Sequence, residues 1–310
     1  MRRDSRVFLI GEDVRQGIFG GYNGLWKEFG NWRVINTPIS ESAFIGASLG
    51  AAITGMRPVV DIMFSDFITV GMDQIFNQTA KMRYMTGGKV KIPIVIRTPS
   101  GAGLSAAAHH SSTVYSWFVN MPGLKVVTPS TPYDIKGLLK TAIRDDNPVV
   151  VFELKNQNIP AEQFRAWSMI PEEEYLVPFG QADVKREGED VTIVPILAMV
   201  LPTLSAAETL EKEGISAEVV DPRTLVPFDK KRVTDSIRKT GRLVIVDEAP
   251  RTGGAAAEIA ALIAEEAFDY LDAPIKRITT LDTPIPFSPL LEKYVMPDKN
   301  KITRAVHEII

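Results

Sequence analysis

Short apolar runs alternate along this chain with longer stretches whose apolar residues recur every three or four positions. The run at Arg6–Ile10 ends at Gly11, and similar runs fill Val59–Phe64, Ile92–Arg97, Leu124–Ser130 and Pro148–Leu154. A continuous apolar run of this length suits a strand buried on both faces of a parallel sheet. A further strand is expected at Trp32–Asn36. Helical spacing marks Leu25–Phe29, Asp73–Tyr84 and Tyr133–Arg144, the last starting at Ser130 or Thr131. Residues 156–189 lose the periodicity, carry Pro160, Pro171, Pro178 and Glu172–Glu174, and read as a linker between domains. A second series then follows. Strands are expected at Val191–Leu197, Ala217–Val220, Leu243–Val246 and Ile275–Thr280. Helices are expected at Val200–Gly214, Asp229–Thr240 and Gly254–Tyr270. The tail is punctuated by proline and ends in a short helix. The pattern predicts an α/β protein of two doubly wound domains, residues 1–176 and 190–310.

One helix departs from ordinary composition. After Ser40, a candidate cap, the stretch to Pro58 contains Gly46, Ala47, Gly50, Ala51, Ala52 and Gly55. Each glycine costs a helix roughly 1 kcal/mol relative to alanine. Close approach of the helix to another chain or a ligand is the usual compensation. Glu41 opens this helix among small and apolar neighbours. It is either a solvated first-turn carboxylate favoured by the helix dipole or a buried one with a partner.

Composition narrows the classes. At 310 residues the chain has length for two domains. Net charge is −3 with a pI near 5.8, which gives no electrostatic case for nucleic acid or an anionic membrane. There is no cysteine, hence no disulfide, thiolate nucleophile or cysteine-bound metal, and a reducing, cytoplasmic setting is expected. No apolar run approaches the ~20 residues of a membrane helix, and MRRDSRVFLIGEDV is a poor signal peptide. Gly101-Ala102-Gly103 followed by Ala106 mimics a dinucleotide fingerprint, but the helix and the acidic residue required after it are missing. Blandly, Phe67 packs in a core, His109 and His110 form an exposed loop pair, and Asp145-Asp146-Asn147 is a solvated turn.

Four stretches carry a resemblance. They are GEDV at Gly11–Val14, TPISESAFIGASLGAAITGMRPVVDIMFSDF at Thr37–Phe67, PGLKVVTPSTPYDIKGLLKTAIRDDNPVVVFE at Pro122–Glu153, and EVVDPRTLVPFD at Glu218–Asp229. Together they resemble the β subunits of thiamine-diphosphate-dependent 2-oxo acid dehydrogenases, the transketolase-like decarboxylating components of pyruvate, branched-chain and acetoin complexes. The resemblance covers nearly the whole chain.

Its implications are specific. Glu41 would hydrogen-bond the cofactor's pyrimidine and promote its imino tautomer. Phe67 would stack on that ring. His110 would take the place of the family's loop histidine, with a proton-handling or substrate-positioning role. His109 and Ser112 stand where the family has glutamines, and Pro195–Ala198 replaces a Tyr-Gly-Ser-like turn. Ile94, Ala142, Ile143, Asp145 and Asn147 would hold a potassium ion. No Gly-Asp-Gly occurs to hold Mg²⁺ and a diphosphate. The resemblance therefore implies a separate α subunit that binds Mg²⁺, in an α2β2 heterotetramer docked on a lipoyl acyltransferase core. The reaction implied is oxidative decarboxylation of a 2-oxo acid, pyruvate favoured, with acyl transfer to lipoamide. Acetoin and branched-chain substrates are the near rivals. Another split transketolase-like enzyme and a non-catalytic scaffold are the others.

Overall fold

The computed structural model describes residues 1–17, 21–155 and 170–310. The first half runs β1 (Val7–Gly11), α1 (Leu25–Phe29), β2 (Val34–Asn36), α2 (Glu41–Ile53), β3 (Arg57–Asp61), α3 (Ala80–Met85), β4 (Val95–Ser100), α4 (Tyr115–Val119), β5 (Lys125–Val127), α5 (Pro132–Arg144) and β6 (Val149–Leu154). The second half provides β7 (Asp183–Arg186), β8 (Val191–Pro195), β9 (Ala217–Asp221), β10 (Thr224–Val226), β11 (Leu243–Pro250) and β12 (Lys276–Thr280). Its longer helices are Val200–Lys212, Lys230–Thr240, Ala255–Glu266 and Lys299–His307.

Two sheets result. The first has the order β10-β5-β6-β4-β3-β1-β2, the second β12-β11-β8-β9-β7. All neighbours are parallel except the pairs β10–β5 and β7–β9. Alternation along each strand sorts the core into layers. On β1, Val7 and Leu9 face one way, packing with Val59, Val95 and Val151 and with Leu138 and Ala142 of α5. Phe8 and Ile10 face the other way, joining Ile96, Phe152 and the α2 residues Phe44, Ile45 and Leu49 in a cluster that continues into Val194, Val220 and Ile245 of the second sheet. A third cluster covers the far face of that sheet, with Ile193, Val219 and Val244 against Ala206, Leu210, Ile302 and Val306. Each fully buried aliphatic side chain contributes about 1.5–3 kcal/mol. Phe152 shows how tight the middle layer is, with its ring 5.8 Å from Tyr115 and 5.4 Å from Phe118.

Several expectations need adjusting. The apolar run at Val59–Phe64 ends its strand at Asp61, and Ser65–Gly71 forms a 3₁₀ turn. Residues Gln74–Thr79 are a π-helical turn leading into α3, not a single α-helix. Ser40 precedes α2 without capping it, because its hydroxyl donates to the Pro38 carbonyl at 3.0 Å. Thr131 does cap α5, accepting from the Asp134 amide, with Pro132 at the first helical position. The proposed linker lies partly outside the described residues, and its distal part forms β7, an edge strand of the second sheet. The two halves are also tied by buried charge. Asp134 of α5 is fully buried and binds both Lys185, at 2.8 Å, and Arg223, at 2.7 Å.

Candidate active site

β1, β2, β3 and β4 release their chains along one edge of the first sheet, and that carboxyl edge is where open parallel sheets bind ligands. Glu12 follows β1, Thr37 follows β2, and Glu41 opens α2 just beyond. A Cβ on Gly11 would overlap the Asp61 carbonyl, so the chain can leave β1 this close to β3 only as glycine. Glu41 is only 7% exposed. Burial pushes the Glu12 carboxyl above the ordinary range, and the Glu41 charge pushes the same way. Among the described residues neither side chain has a cationic or hydrogen-bonding partner. Glu12 Oε1 and Thr37 Oγ1 are buried and unpaired as well. Orphaned polar atoms of this kind cost about 1–3 kcal/mol each unless something supplies the missing bond. Two of them near a buried carboxylate suit a ligand that carries hydrogen-bond donors.

Against this acidic corner lies an aromatic one. The turn Ser65–Gly71 packs on the start of α2, where Ser42 Oγ donates to the Val70 carbonyl at 2.6 Å. Phe67 in that turn is half-buried. Its ring centroid is 5.3 Å from His110, and Phe64 is 4.9 Å from the same imidazole, both edge-on. Edge-on contacts of this kind are worth about 0.5–1.5 kcal/mol beyond burial. Glu41, Phe67 and His110 are therefore brought into one region. His109 is exposed and Ser112 is structural: its amide donates to Asp66 at 3.1 Å, and its carbonyl accepts from Ser65 Oγ at 2.7 Å. No helix follows Gly101–Gly103, only a 3₁₀ turn at Ala108–His110, in keeping with rejection of the dinucleotide fingerprint.

Beneath the same edge, Arg97 of β4 is buried between Glu153, which it holds through Nε at 2.7 Å and through Nη2, and Asp61 at 3.1 Å. Tyr22 closes over the guanidinium, with its ring 4.8 Å away. The segment after β1 thus docks onto the sheet through Tyr22, while residues 18–20 lie outside the described residues. Burial pushes Asp61 up to about 6, despite the pull of Arg97.

The potassium set lies at the opposite, amino-terminal edge of the sheet. The Ile143 and Asp145 carbonyls accept from Arg57 Nη1 at 2.9 and 3.0 Å. Asn147 Oδ1 accepts from Arg83 at 2.6 Å, and the Asp145 carboxylate pairs with Lys125. The Ile94 and Ala142 carbonyls accept backbone amides from Val149 and Asp145. Three cationic side chains, Arg57, Arg83 and Lys125, already serve oxygens of Ile143, Asp145 and Asn147. Among the described residues no cluster of three His, Cys, Asp or Glu could hold a metal.

Sequence reasoning missed Glu12, Lys155, Glu248 and Glu292. Lys155 follows β6, with Nζ 4.8 Å from the Phe64 ring, and its burial pulls the ammonium below its ordinary range. Glu248 and Glu292 reach the loop before His110 from the second half. Acidic residues in strand ends and helices carry no local mark of such a role.

The layered pair of parallel-rich sheets is that of the two-domain transketolase-like proteins. Residues 1–185 match the transketolase pyrimidine-binding domain, and residues 180–302 match the transketolase C-terminal domain. A solved split-gene transketolase, described as an inactive β4 tetramer, superposes with a TM-score of 0.80, covering 99% of this chain and 93% of that one, at 24% identity. That likeness shows the fold. Sequence relatives are more specific. The chain is 48% identical to the acetoin:2,6-dichlorophenolindophenol oxidoreductase β subunit of Bacillus subtilis, over all of this chain and 93% of that protein. It is 46% identical to the 2-oxoisovalerate dehydrogenase β subunit of the same organism, over 100% and 94%. It is 44% identical to the mitochondrial pyruvate dehydrogenase β subunit of Dictyostelium discoideum, over 100% and 87%. The chain belongs to the family of dehydrogenase β subunits that includes the pyruvate, acetoin and branched-chain 2-oxo acid enzymes.

Proposed function

We propose that this chain is the β subunit of a thiamine-diphosphate-dependent 2-oxo acid dehydrogenase and supplies the pyrimidine half of a shared active site. When bound, the cofactor provides the electron sink for decarboxylation. The chain's own residues divide the work. Glu41 accepts a hydrogen bond from the pyrimidine and biases its tautomer. Phe67 offers an apolar face to that ring. His110, held between Phe64 and Phe67, orients the substrate or moves a proton beside it. The observation that carries this reading is the buried Glu41, without a partner among the described residues and close to the orphaned Glu12 and Thr37 atoms.

A separate α subunit would hold the diphosphate through Mg²⁺, since the chain has no Gly-Asp-Gly. The exposed small-residue face of α2, Ala43, Ala47 and Gly50, is suited to close packing against another subunit. The assembly expected is α2β2 on a lipoyl acyltransferase core, in the cytoplasm. Among the described residues no helix is long and apolar enough to cross a membrane. Pyruvate is the favoured substrate, with acetoin and branched-chain 2-oxo acids as alternatives. Identities of 48%, 46% and 44% to the three kinds of β subunit do not rank them.

The test is Glu41→Gln in the reconstituted complex. Turnover with an artificial acceptor should fall at least about 100-fold, the usual effect of losing a positioned acid–base group. Unchanged turnover would remove Glu41 from the mechanism. A well-formed complex that binds no thiamine diphosphate by calorimetry would favour a scaffold role instead.

A further inference from the structure

His110 sits at the end of a loop whose backbone is hard to hold. Gly101 (φ 102°), Gly103 (φ 99°), Ser105 (φ 51°) and Ala107 (φ 61°) all lie in the left-handed region, two of them with side chains that disfavour it. A succession of such residues turns amide N–H groups away from any regular ladder. Here those amides meet two carboxylates from the other half of the chain. The Ala102 amide donates to Glu248 Oε1 at 2.7 Å. The Gly103 amide donates to Glu292 Oε1 at 2.8 Å, and the Ser105 amide and hydroxyl donate to Glu292 Oε2 at 3.1 and 3.0 Å. Glu248 and Glu292 are 4% and 5% exposed. A Cβ on Gly101 would overlap the Glu248 carboxylate, so the two are in direct contact. At its far end the loop is held at Ser112 by Asp66 and Ser65, from the turn that carries Phe67.

We propose that Glu248 and Glu292 are positioning residues, which act through the backbone of residues 101–105 to hold His110 against Phe64 and Phe67. This rests on the role of His110 proposed above. The chemistry fits such a grip, because a carboxylate accepting backbone amides makes one of the stronger neutral-to-ion hydrogen bonds, and burial keeps water from competing. It also makes the grip respond to protons. Burial pushes Glu248 up to about 7, the Ala102 amide and Lys155 pull it down, and Asp247 and Glu292 add to the rise. Asp247 is itself bonded to Tyr115 of α4. Among the described residues Glu248 Oε2 has no hydrogen-bond partner, so a proton can reside there, and the neutral acid accepts the Ala102 amide more weakly.

The experiment uses the assembled complex with its α partner, thiamine diphosphate and Mg²⁺. Amide exchange of the peptide spanning residues 101–112 is followed by mass spectrometry in the wild type, Glu248→Ala, Glu292→Ala and Glu292→Gln. The alanine variants should exchange at 101–105 at least tenfold faster, with the strands β1 and β3 unchanged. Their kcat should fall at least tenfold, while cofactor affinity stays within twofold. Glu292→Gln keeps an acceptor and should recover most of both. Wild-type kcat should decline as pH falls through about 7, more steeply than in Glu248→Gln. Unchanged exchange in the alanine variants overturns the grip. Faster exchange with unchanged kcat overturns the positioning role. A wild-type complex that neither binds the cofactor nor turns over would overturn the functional reading on which this rests, whatever the exchange data.

Discussion

Arg97→Met tests how the carboxyl edge of the first sheet is held together. The substitution keeps side-chain bulk and removes the cation between Asp61 and Glu153. Their side chains are 4% and 14% exposed, and that of Arg97 is 9% exposed. Breaking a buried pair by removing one partner costs about 3–5 kcal/mol, because the remaining charge stays buried. For 310 residues, an unfolding entropy of about 2.1 cal/mol/K per residue gives roughly 0.65 kcal/mol/K, so the melting temperature should drop by about 5–8 °C at pH 8. The sign of the pH effect follows from Asp61. Its folded-state carboxyl already stands at about 6, above the ordinary value, and loss of Arg97 moves it further up. A group raised in the folded state contributes stability at low pH that is lost as pH rises through its folded value. The variant's deficit should therefore be smaller at pH 5.5, where Asp61 holds a proton, than at pH 8. Asp61→Asn added to Arg97→Met should recover part of the loss at pH 8. Thermal unfolding followed by circular dichroism at the two pH values decides the matter. A drop below about 2 °C at pH 8, or equal drops at both pH values, would show that Asp61 and Glu153 do not depend on the Arg97 cation.

Phe67→Ala should weaken thiamine diphosphate binding to the complex by about 0.5–1.5 kcal/mol, roughly 2- to 12-fold, by calorimetry; no change would mean the ring faces no cofactor. Gly123→Ala should destabilise by about 3 kcal/mol in thermal unfolding, because Gly123 has φ 102° and a Cβ there would overlap the Ala80 carbonyl. Burial raises Glu248 from 4.5 to about 7, so the folded state holds a proton that the unfolded state releases, and stability falls across that window. Glu248→Gln should flatten this slope, by at most about 3 kcal/mol between pH 4.5 and 8, as read from melting temperatures.

Much of the architecture was legible because parallel strands covered on both faces must be apolar throughout. That is why β1, β6 and β8 stand out as runs. Boundaries were less legible where apolar character outlasts the strand. Ile62 is buried without being in β3, and Phe64 belongs to the aromatic corner, so Val59–Phe64 looked continuous. β10 went unread for the opposite reason, since three residues before a proline carry no period. In the candidate site, Glu41, Phe67 and His110 are singled out by motif resemblance alone, and only the fold shows that they converge. Glu248 was hidden because its meaning depends on an amide 146 positions away.

β10 has a consequence for how these halves can be inherited. Residues 224–226 lie well past the point, near residue 185, where one family domain gives way to the other, yet they form the outermost strand of the first sheet. An N-terminal fragment cut at that point would leave β5 as a bare edge with open backbone groups, ready to recruit strands from other chains. A chimera joined there would finish its first sheet with a foreign strand. The halves look modular by sequence, but they have to co-evolve across this seam.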